Sequence, residues 1–295
     1  MVSADGSLAW FKGAGLAFSV FVTVLFAAML HAGWNTLVKA GSDKLLATTL
    51  VALGGALIAI PLLPFAPLPA PEAVPYLLAS AVIHVGYFTL IGLLYRTADL
   101  SVAYPVQRGS APLLATVLAA IFLREFPSGL GLTGAISLSL GILWLATDGV
   151  RKGGLDRKTL LIALANACVI ALYTIVDGTG GRLSGHSISY NIWLEFLDGV
   201  LFVPAALFVR GKPLAMALMR GSKIALLGGG AAFASYGIAI WAMTEAPIGL
   251  VAAVRESSVF FATVFGALFL GEQFGRSRYI AAVFVAVGLA ALRFA

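Results

Sequence analysis

One cysteine, Cys168, in 295 residues leaves no partner for an intrachain disulfide and no thiol set for a metal centre. Charge is as scarce. Asp, Glu, Lys and Arg make up 11% of the chain, against about a quarter in soluble domains. The 19 Lys and Arg outnumber the 13 Asp and Glu, but they are scattered through short connections and form no aromatic-interleaved basic face, which excludes a nucleic-acid partner. The glycine cluster at 228–237, GGGAAFASYG, lacks the strand, lysine and downstream acid of a phosphate or dinucleotide loop, and reads as close helix packing. Neither an ATP-driven pump nor a cofactor is expected from this chain alone.

What the sequence has is apolar length: 60% of it is hydrophobic, with a mean hydropathy of +1.00. No soluble core absorbs that much apolar surface. A helix of roughly 20 apolar residues crosses about 30 Å of hydrocarbon, and such stretches follow one another here. The expected class is an all-α integral membrane protein with ten transmembrane helices, at 15–38, 45–66, 74–95, 102–123, 129–147, 159–177, 187–209, 222–243, 248–270 and 278–294. The runs are apolar on every side, so the alternation of a membrane barrel is absent. The first run is too long for the apolar part of a secretory signal and reads as a retained helix.

Lys and Arg concentrate after helices 1, 3, 5, 7 and 9, among them Lys39, Lys44, Arg151, Lys152, Arg157 and Lys158. The opposite side has Lys12, Arg124, Arg182 and Arg293, so both termini are expected on the non-cytoplasmic face.

Residues 108–125, RGSAPLLATVLAAIFLRE, and 255–272, RESSVFFATVFGALFLGE, match at 9 of 18 positions under a shift of 147 residues. The polar matches weigh most: Arg108 with Arg255, Ser110 with Ser257, Thr116 with Thr263, Glu125 with Glu272. The register continues to Gly141 and Gly288. The chain divides into a first five-helix repeat, 1–150, and a second, 151–295, with 148–158 as the linker. An odd number of helices per repeat inverts the second copy, and inverted repeats support alternating access to a midplane cavity.

Ionisable groups within these helices are candidates for the site. Arg108, between Pro105 and Pro112, grips a substrate carboxylate or phosphate on one reading and snorkels to the interface on the other. Arg255 stands at the equivalent depth. Its neighbour Glu256 is about 100° away around the helix, so that one faces the cavity and the other pairs elsewhere. Glu195 and Asp198 share a face, either as a proton-coupling pair or as counterions for the arginines. His84 with Tyr87, and His31 with Trp34, line a polar cavity or serve as packing. Trp193, Tyr190, Tyr236 and Trp241 are cavity aromatics or members of the interfacial belt. The substrate-binding candidates are thus Arg108, Arg255, His84, Tyr87, Trp34, Trp193 and Tyr236; the coupling or ion-pair candidates are Glu195, Asp198, Glu256 and His31. Glu125 and Glu272 are expected to cap the helices that follow them, and Cys168 to be a small buried hydrophobe.

The ten helices, the duplication and the segment AYPVQRGSAPLLATVLAAIFLRE resemble the drug/metabolite transporter superfamily, EamA type. The Leu-Gly-Glu on which that family closes helices 4 and 9 is kept at Leu270, Gly271 and Glu272, and departs in the first copy, where Arg124 replaces glycine. The resemblance implies a secondary transporter, not an enzyme. It implies export or exchange but not the cargo. The inverted repeat and the paired intramembrane arginines point to a small anionic or zwitterionic metabolite such as an amino acid, with a proton or counter-substrate and membrane lipid as the other partners. The implied location is a bacterial inner membrane. A membrane-embedded enzyme acting on a lipid-linked substrate, or a non-transporting subunit, are the alternatives. The former needs a cluster of acids, histidines or metal ligands at recognisable spacing, which the sequence lacks.

Overall fold

The computed structural model describes residues 16–97, 100–151, 156–271 and 275–295. Its helices are α1 (Phe18–Ala40), α2 (Lys44–Leu62, extended by a 3-10 turn, Leu63–Phe65), α3 (Val74–Thr97), α4 (Leu100–Leu123), α5 (Gly129–Trp144), α6 (Thr147–Arg151) and α7 (Arg157–Leu183). They continue as α8 (Ser187–Arg210), α9 (Lys212–Arg220), α10 (Ser222–Glu245), α11 (Ile248–Glu256), α12 (Ser258–Leu270) and α13 (Arg276–Arg293). Among the described residues there is no strand. Among these residues eight spans are long and apolar enough to cross a membrane, α11 and α12 together forming one of them. Helix α5 is apolar but only 16 residues long. Helix α13 has Arg276, Arg278 and Arg293 at its ends.

Burial is distributed as in a membrane protein. Large apolar side chains such as Phe26, Val82, Phe122, Leu161 and Phe208 are exposed, whereas Arg108, Asp177, Arg255 and Glu256 are buried. In lipid, apolar side chains lose nothing by facing outward, and ionised ones must find partners within the bundle. Cys168 lies on the exposed surface, which corrects its expected burial.

Four differences from the sequence expectation matter. Helix α7 runs on to Leu183, six residues past the expected end at 177, so that Asp177 is mid-helix. Gly180 and Gly181 stay helical because Tyr190 and Ile240 pack where their side chains would be; tertiary contact overrides weak local propensity. The stretch around 257 is interrupted: α11 ends at Glu256, Ser257 N–H donates to Val254 O at 3.1 Å, and α12 starts at Ser258. The supposed linker 148–158 contains the end of α6 and the start of α7, with 152–155 outside the described residues. Helix α9 stands where only a connection was expected; Leu214 is its buried anchor.

Packing joins the two halves throughout. Helix α1 lies on α10 and α3 on α7; α4 lies on α7, and α11–α12 on α1; α2 pairs with α8, and α5 with α13. The glycine cluster does serve close approach: a Cβ on Gly229 would lie 2.6 Å from Gly54 Cα. At two crossings, residues 147 apart in sequence face each other. Ser137 Oγ donates to Phe284 O at 2.9 Å, and a Cβ on Gly199 would lie 3.3 Å from Ala52 O. The turns after α4 and α12 are also alike, since Arg124 takes the left-handed conformation (φ 55°) that Gly271 takes more easily (φ 68°).

Candidate functional site

Arg108 projects from α4, 1% exposed. It does not snorkel. Its Nε lies 2.8 Å from Glu256 Oε2, its Nη2 lies 2.8 Å from His31 Nε2, and Nη2 also donates to Ser258 Oγ at 3.4 Å. Glu256 ends α11, next to Arg255. Arg255 Nη2 is 4.0 Å from Glu256 Oε1, and its guanidinium stands 5.5 Å from the centre of the Tyr236 ring. The expectation that Arg255 and Glu256 serve different partners is therefore corrected. At the last residues of a helix, two long side chains can turn toward one another, and Glu256 stands between the two arginines. Trp34 stacks edge-on against His31, with ring centres 4.9 Å apart.

A second cluster adjoins through Tyr236, whose hydroxyl donates to Asp177 Oδ2 on α7; Tyr190 OH donates to Oδ1 at 3.2 Å. His84 on α3 lies between two carboxylates, with Nδ1 2.8 Å from Asp198 Oδ2 and Nε2 3.8 Å from Asp177 Oδ2. Tyr87, Tyr173 and Tyr236 surround the imidazole, Tyr173 closest at 4.7 Å between ring centres. Glu195, one turn before Asp198, fits against α2 because Gly55 has no side chain: a Cβ there would fall 2.3 Å from Glu195 Oε2. The acids of α8 are thus partnered with His84 and α2, which corrects their reading as counterions for the arginines; Glu256 has that place. Asp177 was missed because it falls on the last residue of the expected helix. Its signal was available, as the one acid within an apolar run that continues into small residues.

Trp193 packs on the apolar side of the second cluster, beside Tyr190 and Leu194, and its polar atom turns away from the charges. Its indole N–H donates to Pro67 O at 3.3 Å, in the connection after α2. Glu125 does not cap α5 either, a place taken by Ser128, which accepts from Gly131 N–H at 3.0 Å. Instead Glu125 accepts from Ile248 N–H at 2.8 Å, capping α11, and pairs with Arg182 at 2.5 Å. Arg182 also donates to Met243 O and Ala246 O. Glu272 lies outside the described residues. A cleft of about 330 Å³ opens at this same end, lined by Arg182, His186, Trp241 and Glu245 among others. The two charged clusters lie apart from it, enclosed by helices. Among the described residues no group of histidines, cysteines and acids is arranged to hold a metal ion.

The fold and these buried charges define a multi-pass membrane protein. Residues 157–294 match the EamA-like transporter family, part of the drug/metabolite transporter superfamily, so the second half of the chain is an EamA-like unit and the resemblance read from the sequence holds. A solved structure described only as the crystal structure of a protein is similar over both halves, with a TM-score of 0.68 and 17% identity, covering 92% of this chain and 94% of its own. It shows a shared fold. No curated protein matches the chain.

Proposed function

We propose that the protein is a secondary transporter of a small anionic or zwitterionic metabolite, with an amino acid as the favoured class, working by alternating access between inverted halves 1–150 and 151–295. The carrying observation is the buried triad Arg108, Glu256 and Arg255, two cations against one anion. One substrate carboxylate would balance it. The adjoining Asp177, His84, Asp198 and Glu195 supply charge of the opposite sign, which suits a substrate ammonium group and favours a zwitterion over a dianion. His84, Tyr87, Tyr236 and Trp34 would line the path between the poles, and a proton on Glu195, Asp198, Glu256 or His31 would accompany the exchange.

The inverted repeat is supported by the reciprocal helix pairings and by residues 147 apart meeting at Ser137–Phe284 and Gly199–Ala52. Equivalent positions meet in this way on a two-fold axis. Ten crossings, with α5 and α13 as the two short ones, and termini on the non-cytoplasmic face of a bacterial inner membrane complete the reading.

The test is counterflow in proteoliposomes loaded with a mixture of amino acids and organic acids, using labelled members of each class outside. Uptake that falls to the protein-free rate in Arg108→Ala and Arg255→Ala is the expected result. Uptake unchanged in both variants would remove the anion site.

A further inference from the structure

Two guanidinium nitrogens in the triad, Arg108 Nη1 and Arg255 Nε, are buried without a hydrogen-bond acceptor among the described residues. The nearest carboxylate, Glu256, serves the two arginines unequally. Its Oε2 stands 2.8 Å from Arg108 Nε, whereas its Oε1 stays 4.0 Å from Arg255 Nη2. Buried donors left unpaired cost free energy, more so on a cation. An acceptor reaching both arginines would recover it.

We infer that Glu256 is a tethered competitor. Its carboxylate occupies the arginine pair when no substrate does, and a substrate anion must displace it from Arg108 and Arg255 to bind. This rests on the proposed anion site and adds a role to it. The competitor keeps two buried cations from being left bare between transport events, and it weakens binding enough for release. Tyr104 on α4 lies within electrostatic reach of Glu256, and displacement would turn the carboxylate toward it. Helix ends at Glu256 and Ser258 leave this residue at a break where a side chain can be redirected.

The probe is acetate, titrated into purified protein against chloride at equal ionic strength and followed by thermal stability. Glu256→Gln should bind acetate about tenfold or more tightly than the unaltered protein, since affinity is reduced by the fraction of sites already occupied. Arg255→Gln should abolish the response in both backgrounds. If Glu256→Gln binds no tighter while Arg255→Gln still loses binding, displacement is wrong and the anion site stands. If Arg255→Gln binds normally, or neither the unaltered protein nor Glu256→Gln responds, both ideas fall. Should Glu256→Gln not fold, the unaltered protein decides: ¹³C-acetate should shift a glutamate carboxylate band in the infrared difference spectrum, and an unshifted band overturns the inference.

Discussion

Glu125 meets two demands at once, the charge of Arg182 and the free N–H of Ile248, and both partners lie in the other half of the chain. Glu125→Ala leaves a buried guanidinium without its anion, and removing one partner of such a pair costs about 3–5 kcal/mol. Denaturant unfolding in detergent should show that loss. Glu125→Gln should lose less, since its amide oxygen still accepts from Ile248 N–H. The position was legible in the sequence as half of a repeated Arg/Glu pattern, but its role was not, because the helix it caps begins 123 residues later. The same holds in the site. Arg108, Arg255, Glu256, His31 and His84 were identified by a simple criterion, ionisable groups inside apolar runs. Which of them meet is decided by helix crossings that no local pattern encodes, so that Asp198, open between proton coupling and an arginine partner in the sequence, stands beside His84.

Helix positions were legible nearly throughout, since apolar length alone marks them. What escaped were features made by contact: the extension of α7, the break at Ser257, and α9, too short for a span. Helix contacts also separate glycines that sequence treats alike. At Gly229 a Cβ would strike the backbone of Gly54, so Gly229→Ala should destabilise by about 1–3 kcal/mol. At Gly86 nothing lies within 4 Å, and Gly86→Ala should be neutral or stabilise by up to about 1 kcal/mol. Thermal unfolding of the two variants checks the contrast.

The helix caps give a pH dependence outside the membrane spans. The Thr159 N–H holds Asp156 below its ordinary value of 3.8. At Asp43 burial pushes upward but is outweighed by the Leu46 N–H and by Arg210, so this carboxyl is also lowered. A carboxylate lowered on folding stabilises above its unfolded value and stops doing so as pH falls through the folded one. Amide protection at Leu46 and Thr159 should therefore drop below about pH 3.8. Protection at Gly131, capped by the hydroxyl of Ser128, should not follow them.

On the scale of the whole molecule, the proposed two-fold relation sorts contacts into two kinds. A contact between equivalent residues, such as Ser137 with Phe284, maps onto itself when the halves exchange conformations, and so can persist through the cycle. A contact at one end, such as Ala70 N–H with Ser184 O at 3.3 Å, maps to the opposite end and must open when access switches. Cross-linking distinguishes them. In a Cys168→Ser background, Ser137→Cys with Phe284→Cys should tolerate oxidation with flux retained. Ala70→Cys with Ser184→Cys should lose flux on oxidation and regain it on reduction. Equal loss in both pairs would mean that the α5–α13 crossing moves as much as the ends do, and rocking about a fixed axis would then have to be abandoned.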